Sequence, residues 1–187
     1  MIIMNRKEII NNVLWFGGLI LVLTLLRVYV FTPTSVSGES MMPTMVDRER
    51  VIASKLSKIE RFDVITFPAP DNPKKNYIKR VIGLPGDKIE YKDDMLYVND
   101  KAVEEPYLKD YKEKPEGTIR YGLPLTQDFK MSDVLGEETV PEGHLFVMGD
   151  NRQNSKDSRM VGFIDEDDVM GNVKFVFWPP EKWGTFK

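Results

Sequence analysis

Residues 76–83, NYIKRVIG, have the alternating character of a β-strand, and the turn sequence LPGD follows at once at residues 84–87. Successive side chains of a strand point to opposite faces, so Tyr77, Lys79 and Val81 are expected to share one face. A lysine in this pattern is either a charged residue that protects an edge strand from aggregation or a half-buried base. The stretch therefore predicts a strand and leaves both roles open for Lys79.

The chain after residue 32 contains further short strand patterns. We predict strands at VIASKL (51–56), DVITFPAP (63–70), HLFVMGD (144–150) and VKFVFW (173–178), and a hairpin at MLYV-ND-KAV (95–103). The Asn-Asp pair suits the hairpin turn because both residue types tolerate a positive φ. A short helix is expected to open at Ser132–Leu135. The pattern predicts a mainly β fold, with about residues 90–142 forming an excursion or a small inserted subdomain.

Residues 9–31, IINNVLWFGGLILVLTLLRVYVF, are the most hydrophobic stretch of the chain and carry a single charge, Arg27. As a helix they would span about 35 Å, which is enough to cross a hydrocarbon core of about 30 Å. The uninterrupted apolar part, residues 13–26, also has the length of a removable signal-peptide core, but no good Ala-x-Ala cleavage site follows it. We therefore predict an uncleaved transmembrane anchor at residues 9–31.

Arg6 and Lys7 precede this anchor and indicate its orientation. Because positively charged flanks stay on the cytoplasmic side, residues 1–8 are predicted to form a cytoplasmic tail. Residues 32–187 would then form an extracytoplasmic domain. The predicted protein is a single-pass protein of the cell membrane.

Composition excludes several classes of function. The chain has 187 residues, a net charge of −3 and no cysteine. Without a dominant basic stripe, nucleic-acid binding is not expected. Without cysteine there are no disulfides, no Cys-ligated zinc and no thiol nucleophile. We expect no metal and no cofactor.

Ser40 lies in SGESMMPTM, residues 37–45, shortly after the anchor. Gly38 and Pro43 flank it, so the backbone is expected to turn sharply there. A serine is a weak nucleophile unless a base accepts its proton. The one histidine, His144, is expected to be a packing or surface residue. A lysine can serve instead if burial lowers its pKa from about 10.4 by several units.

Two further features have alternative interpretations on the residues alone. The methionines of this stretch are either core residues or an apolar surface that rests on the bilayer: Met41, Met42 and Met45. The segment GDNRQNSKDSRMVGF, residues 149–163, contains two each of Asp, Arg, Asn and Ser. It is either a loop held rigid by ion pairs or an ordinary charged surface loop.

In this order after an N-terminal anchor, SGESMMPTM, YIKRVIGLPGD and GDNRQNSKDSRMVGF resemble the type I signal peptidases of bacteria, and the short chain resembles their Gram-positive subgroup. The resemblance implies a membrane-bound serine endopeptidase with a Ser-Lys dyad. Such an enzyme removes N-terminal signal peptides from secreted preproteins after small, Ala-x-Ala-like residues. The fold implied is an antiparallel β-sheet catalytic domain of the signal peptidase and LexA-like type. The implied partners are preproteins and the lipid bilayer.

The resemblance also assigns roles to individual residues. Ser40 would be the nucleophile, with its backbone N–H directed at the oxyanion, Lys79 the general base, and Ser155 the residue that orients the lysine. An Arg80–Asp150 pair is expected within a larger set of scaffold ion-pair residues: Arg80, Asp150, Arg152, Asp157 and Arg159. Three residues are candidates for the substrate pocket: Val36, Met42 and Val81.

The sequence departs from the family pattern in three places. Gly38 stands where some members carry a serine, so a side-chain donor to the oxyanion is missing. Gln153 replaces a common aspartate, and Met160–Val161 replaces an aromatic pair. We expect φ of Gly38 to be below zero, in which case Gly38→Ser would fold normally and restore the donor.

Two other classes of protein remain possible on the sequence alone. One is a self-cleaving, LexA-like repressor protease that uses the same dyad, although the anchor and the absence of N-terminal DNA-binding helices argue against it. The other is a non-catalytic, membrane-tethered β module in which Ser40 is only a turn residue. A preprotein cleavage assay separates this module from an enzyme.

Overall fold

The computed structural model describes residues 5–113 and 122–186; residues 1–4 of the predicted tail and 114–121 of the predicted excursion lie outside these ranges. The helices of the described part are α1 (Arg6–Tyr29), α2 (Lys109–Glu113), α3 (Met131–Leu135), α4 (Ser158–Val161) and three 3₁₀ turns (Pro106–Leu108, Glu166–Asp168, Pro180–Lys182). The strands are β1 (Phe31–Ser35), β2 (Arg50–Ser54), β3 (Val64–Ala69), β4 (Asn72–Gly83), β5 (Ile89–Lys92), β6 (Met95–Val98), β7 (Lys101–Val103), β8 (Phe129–Lys130), β9 (His144–Met148), β10 (Ile164–Asp165) and β11 (Gly171–Trp178).

Helix α1 is long and apolar enough to cross a membrane. Its 24 residues include an 18-residue window with a mean hydropathy of 2.1, and none of that window is buried. The helix begins three residues before the predicted anchor because Asn5 and Glu8 form a capping box. It ends at Tyr29, and Phe31 already pairs with Ser54 in a sheet. The predicted boundaries at residues 8 and 31 remain predictions.

Seven strands form one antiparallel sheet in the order β1-β2-β11-β3-β4-β9-β10. Pro33 lies on β1, at the edge of this sheet, where a missing backbone N–H is tolerated. Strand β4 is an interior strand, with β3 on one side and β9 on the other. The mainly antiparallel β fold predicted from the sequence is confirmed.

A second antiparallel sheet of four strands has the order β7-β6-β5-β8 and lies within residues 89–130. The predicted hairpin at residues 95–103 forms its β6–β7 pair, and Asn99 and Asp100 have φ of 51° and 62°. The predicted helix near Ser132 is α3. This sheet falls in the region predicted as an inserted subdomain, but the bounds of that subdomain stay a prediction.

Residues 36–49, which connect β1 to β2 and carry Ser40, form a segment that we call the serine turn. Two of its methionines are core residues: Met41 and Met45 are 1% and 0% exposed and pack with side chains from β2, β3 and β11, including Val51 and Val173. Met42 is only half-buried. The alternative of an apolar surface resting on the bilayer is therefore wrong for Met41 and Met45, because both side chains are buried in the core against the seven-stranded sheet.

Candidate active site

The serine turn is closed at its base by backbone hydrogen bonds. Val36 N–H donates to Glu49 C=O at 2.8 Å, and Arg48 N–H donates to Val36 C=O at 3.0 Å. Within the turn, Met45 N–H donates to Met41 C=O at 2.9 Å. Since both methionine side chains are buried, the backbone between them is held in place and Ser40 remains at the surface of a cleft.

Lys79 projects from the middle of β4 toward this turn. Its Nζ lies 2.6 Å from Ser40 Oγ, and the residue is only 3% exposed. The strand pairs with β3 through Lys79 and Ile65, so the lysine does not lie on an edge strand. The alternative of an edge-protecting lysine is therefore wrong, and Lys79 is a buried lysine beside a serine hydroxyl.

Burial lowers the pKa of Lys79 from 10.5 to about 8. The charges of Asp157 and Asp150 act in the opposite direction, and Arg159 adds to the lowering. Desolvation outweighs the two carboxylates because an ammonium is costly to keep away from water. Lys79 therefore becomes neutral, and able to accept a proton, as pH rises through about 8, well below the range of an exposed lysine.

The cleft around Ser40 and Lys79 has a volume of about 210 Å³. Its lining comes from the serine turn, from β4 and from the loop after β9: Val36, Ser37, Gly38, Glu39, Ser40, Met41, Asn76, Tyr77, Ile78, Lys79, Asn154 and Lys156. Of the three candidate pocket residues, Val36 lines this cleft. Met42 and Val81 are not among its lining residues in the described part of the chain, and Val81 is fully buried in the core cluster that contains Ile65.

Arg80, the next residue on β4, points to the opposite face and forms a buried pair with Asp150. Nε and Nη2 of Arg80 donate to the two carboxylate oxygens at 2.8 and 2.6 Å. Thr44 from the serine turn also donates to Asp150, at 2.5 Å. This bidentate pair therefore ties β4, the loop after β9 and the serine turn together.

A second pair within the loop after β9 joins Asp157 and Arg159. The guanidinium donates through Nε and Nη2 at 2.8 Å each, and Gly149 N–H donates to the same carboxylate at 3.0 Å. Burial tends to raise the pKa of Asp157, but its bonds to Arg159 and Gly149 outweigh burial and lower the pKa below its usual value. The loop is therefore held by buried ion pairs, and the alternative of an ordinary surface loop is wrong.

Gly149 brings this loop into direct contact with the serine turn. A β carbon on Gly149 would lie under 3.0 Å from both Ser155 Oγ and the backbone oxygen of Ser40. Ser155 Oγ is buried, and within residues 5–113 and 122–186 it makes no hydrogen bond of good geometry, to Lys79 or otherwise. Its hydroxyl nonetheless helps to lower the pKa of the nearby Asp157. The structure thus places Ser155 against the Ser40 backbone, while its role in orienting Lys79 stays a prediction.

The guanidinium of Arg152 is fully buried and points away from the cleft, toward the second sheet. The guanidinium donates hydrogen bonds there to four residues that the sequence analysis did not predict as part of the site: Tyr91, Glu105, Tyr107 and Thr126. Glu105 belongs to a segment with weak strand and helix patterns, so no local signal marks its carboxylate as buried. A buried arginine nonetheless requires an acidic partner, so an arginine in this motif is itself a signal that a buried carboxylate lies elsewhere in the chain.

The backbone at Gly38 differs from expectation. Its φ is +86°, a region that favours glycine, and its N–H donates to Asp47 Oδ1 at 2.8 Å. The prediction of φ below zero is therefore wrong. Glycine suits this position because its backbone has a φ that other residues rarely adopt, two residues before Ser40.

The other departures and His144 have structural explanations. Gln153 Nε2 donates to Pro124 C=O at 2.9 Å, and Met160 is 69% exposed. His144 begins β9, with Nδ1 2.9 Å from Glu142 O and its ring edge-on to Phe163. The histidine is thus at the opposite end of β9 from Met148, which pairs with Arg80.

The chain thus has a buried lysine within 2.6 Å of a serine hydroxyl, on an antiparallel β domain with an N-terminal apolar helix, and comparison with known proteins identifies its family. The family model described as "Signal peptidase, peptidase S26" matches residues 9–178. The chain belongs to this family. The resemblance to signal peptidases drawn from the three sequence motifs is therefore confirmed.

Relatives within the signal peptidase family include proteins of Gram-positive bacteria. Signal peptidase I of Bacillus caldolyticus is 48% identical over 169 residues, 88% of each chain. Signal peptidase IB of Staphylococcus aureus (strain COL) is 40% identical over 182 residues, 93% of this chain and 92% of that one. The crystal structure of a signal peptidase I from Enterococcus faecalis V583 is 42% identical, with a TM-score of 0.57, and covers 63% of this chain and 98% of the crystallised one.

Proposed function

We propose that Ser40 and Lys79 are the catalytic dyad of a membrane-anchored endopeptidase that removes N-terminal signal peptides from secreted preproteins. The observation that carries this proposal is the 2.6 Å separation of Lys79 Nζ and Ser40 Oγ at the surface of a cleft. The lowered pKa of Lys79 supports it, because a general base must be deprotonated to act. The membership of the signal peptidase family supplies the substrate class.

In the proposed reaction, the neutral amine of Lys79 takes the proton of Ser40 Oγ as the oxygen attacks the scissile carbonyl carbon. The tetrahedral intermediate collapses, the C–N bond breaks, and Lys79 returns the proton to the leaving amine. Water then attacks the acyl-enzyme with Lys79 again as the base, which releases the signal peptide with a free carboxylate and regenerates Ser40. The developing oxyanion needs positioned donors, and we assign one of them to the backbone N–H of Ser40.

Ser155 is proposed to orient Lys79 during this reaction. Its hydroxyl is buried and makes no hydrogen bond of good geometry in the described part of the chain, which is unfavourable unless a partner becomes available. The neutral lysine and its protonated form both offer such a partner. The Asp150 and Asp157 pairs, in contrast, are proposed to act by holding the loop that carries Ser155.

The cleft supports a preference for small side chains on the substrate. Its volume of about 210 Å³ is modest, and the apolar side chains of Val36 and Ile78 form part of its lining. An extended peptide could lie along this cleft with small residues directed inward. We therefore propose cleavage after an Ala-x-Ala-like sequence, in agreement with the family resemblance.

The proposed orientation places residues 1–8 in the cytoplasm and residues 32–187 outside the cell membrane. Arg6 and Lys7 at the start of α1 support it, since positive charge is retained on the cytoplasmic side. This orientation would bring the cleft to preproteins that are still held in the bilayer by their signal helices. Protease added to intact spheroplasts should digest residues 32–187, and complete protection of that part would reverse the assignment.

Cleavage of a purified preprotein by membrane fractions tests the dyad. Ser40→Ala and Lys79→Ala should each abolish cleavage while leaving the fold intact, and the double variant should be no worse than either single one. Cleavage by Ser40→Ala at nearly the parent rate would end the proposal and would favour a non-catalytic membrane-tethered module.

A further inference from the structure

Arg152 lies on the loop that follows β9, and every N–H of its guanidinium points at an oxygen. Nε donates to Gly149 C=O at 3.1 Å, on its own loop. Nη1 and Nη2 point out of the loop, toward side chains of residues 91–126. Since the arginine is 2% exposed, these partners replace water for a permanent charge.

Glu105 is the only acid in this set of partners within the described ranges, and two tyrosines complete its coordination. Oε1 of Glu105 lies 2.5 Å from Nη2 of Arg152. The hydroxyls of Tyr91 and Tyr107 each accept from the guanidinium, at 2.7 and 2.9 Å, and each donate to Glu105 Oε1, at 2.8 and 2.6 Å. The result is a closed, buried network in which each hydroxyl uses both its donor and its acceptor capacity.

The electrostatics of Glu105 agree with this geometry. Burial acts to raise the pKa of its carboxyl, but the charge of Arg152 and the hydrogen bonds from Arg152 and the two tyrosines outweigh burial and lower the pKa. Glu105 is therefore ionised throughout the pH range in which Lys79 titrates. Its removal would leave Arg152 as a buried charge without a carboxylate partner.

The loop held by Arg152 contacts the backbone of Ser40. Arg152 N–H donates to Asp150 C=O at 2.9 Å, and Asn151 N–H donates to the carbonyl oxygen of Ser40 at 3.0 Å. Gly149, whose carbonyl receives Arg152 Nε, is packed against the same Ser40 oxygen. A displacement of the Arg152 side chain would therefore be transmitted through residues 149–151 to the backbone of Ser40.

We propose that Glu105 is a positioning residue for the peptidase reaction, which acts through Arg152 to fix residues 149–152 against Ser40. This inference rests on the proposed dyad. Glu105 does not touch the reacting atoms. Its segment, between β7 and α2, influences the position of Ser40 through Arg152 and residues 149–151. Peptide binding in the cleft does not involve it, because neither Glu105 nor Arg152 lines that cleft among the described residues.

The test is a steady-state measurement with a peptide substrate that carries an Ala-x-Ala site, using the full chain in detergent. Glu105→Gln removes the charge and keeps the size of the side chain. We expect kcat to fall about ten- to a hundredfold with KM unchanged, because small misplacements of a reacting group have effects of this size. Tyr107→Phe, which deletes one hydroxyl of the network, should lower kcat in the same direction by less.

Asp87→Asn is the matched control. Asp87 is also buried and paired with an arginine, Arg61, at 2.9 Å, but within the described chain it makes no hydrogen bond to residues 149–163. The Asp87→Asn substitution should lower thermal stability and leave kcat unchanged at temperatures well below the unfolding temperature. A Glu105→Gln enzyme that also loses only stability, with kcat within twofold of the parent, overturns the proposal.

Two further results keep the test decisive. If Glu105→Gln does not fold, Tyr107→Phe decides: a parental kcat rejects the positioning role, and a lowered kcat at constant KM supports it. Ser40→Ala separates the two hypotheses. Normal cleavage by Ser40→Ala would reject the proposed dyad, whereas a parental kcat for Glu105→Gln would reject only the role of Glu105.

Discussion

Two lysines line the same cleft, and their surroundings give them opposite properties. Lys79 is 3% exposed, and burial lowers its pKa to about 8. Lys156 has a side chain that is 47% exposed, and its Nζ lies 2.5 Å from Asp71 Oδ2. The hydrogen bond to Asp71 raises the pKa of Lys156. Lys79 therefore becomes neutral, and able to accept a proton, as pH rises through about 8, whereas Lys156 remains a cation there.

Burial of Lys79 and the position of the carboxylates together produce this difference. Asp150 and Asp157 both raise the pKa of Lys79 through their charge, but each is in bidentate contact with an arginine, Arg80 or Arg159. No carboxylate within the described ranges forms a salt bridge with Lys79. Both acids bind arginines and do not contact Lys79 directly, so their charges offset only part of the effect of burial, whereas Asp71 contacts Lys156 directly.

The largest effect expected from this comparison is on cleavage. Lys79→Met should abolish preprotein cleavage, because the proposed base is lost; removal of one member of such a unit costs about 10⁴-fold or more in kcat. Lys156→Met should change kcat/KM by a few-fold at most, since an exposed ion pair contributes little. Lys101→Met, on an exposed strand of the second sheet, provides the silent control. Equal losses at positions 79 and 156 would contradict the comparison.

A substitution that moves the serine instead of the lysine should have the next largest effect. Gly149→Ala introduces a β carbon under 3.0 Å from Ser155 Oγ and from Ser40 O, and the second of these is backbone that cannot rotate away. We expect kcat to fall about a hundredfold because the nucleophile is displaced. Cleavage assays on Gly149→Ala at low temperature check this, and a variant with a parental kcat would show that the turn yields without moving Ser40.

Sequence patterns predicted one of the two lysines well. The alternation of residues 76–83 placed Lys79 on a strand among apolar neighbours, and the three motifs together identified the family. Lys156 and Asp71 are 85 positions apart in the chain, and no local pattern connects them. Residues 71–76 have the composition of a solvated polar run, yet β4 already begins at Asn72, because the pairing with β3 extends beyond the apolar part of β4.

The same limit explains what was missed elsewhere. Strand β1 contains Pro33, which argues against a strand until its position at the sheet edge is known. Glu105 and the backbone of Gly38 depend on contacts with Arg152 and Asp47 that form only in the folded chain. Local periodicity determines elements and motifs, whereas the partners of buried charges and the sign of a glycine φ are set by tertiary structure.

The pH dependence sharpens the comparison. If neutral Lys79 is the base, kcat/KM should rise about tenfold per pH unit below pH 8 and level off above it. An activity optimum near pH 5 would exclude a neutral lysine. The same profile measured on Lys156→Met should keep its midpoint, because the pKa of Lys79 is lowered chiefly by burial.

The lowered pKa of Lys79, which favours catalysis, should also reduce the free energy of unfolding. The folded-state pKa of Lys79 lies below its unfolded value, so burial of the charge costs about 3 kcal/mol below pH 8, and this cost is lost as pH rises from about 8 to 10.5. Lys79→Met should therefore be inactive yet more stable than the parent at pH 7, with the difference closing toward pH 10.5. Denaturant unfolding of both proteins across this range provides the measurement, and a pH-independent difference would contradict the lowered pKa.

The smallest expected effect concerns Gly38, two residues before the serine that Lys79 contacts. Its φ is +86°, and apart from its two chain neighbours no described residue has a heavy atom within 4 Å of the place that a β carbon would occupy, so a serine at residue 38 meets open space but a strained backbone. Gly38→Ser should lower stability by about 1 kcal/mol. Gly136, at the end of α3, has φ of +78° and equally open surroundings, so Gly136→Ser carries the same strain at a residue that does not line the cleft.

Both variants should thus lose similar stability, but only Gly38→Ser should lower kcat, because relief of its strain shifts the turn that holds Ser40. Gly38→Asn should retain more activity than Gly38→Ser, since asparagine tolerates a positive φ. Unfolding midpoints and kcat for the three proteins check this ordering. An increase in kcat for Gly38→Ser would contradict this ordering. It would mean that the added hydroxyl donates to the oxyanion, and that this donor raises kcat by more than the backbone strain lowers it.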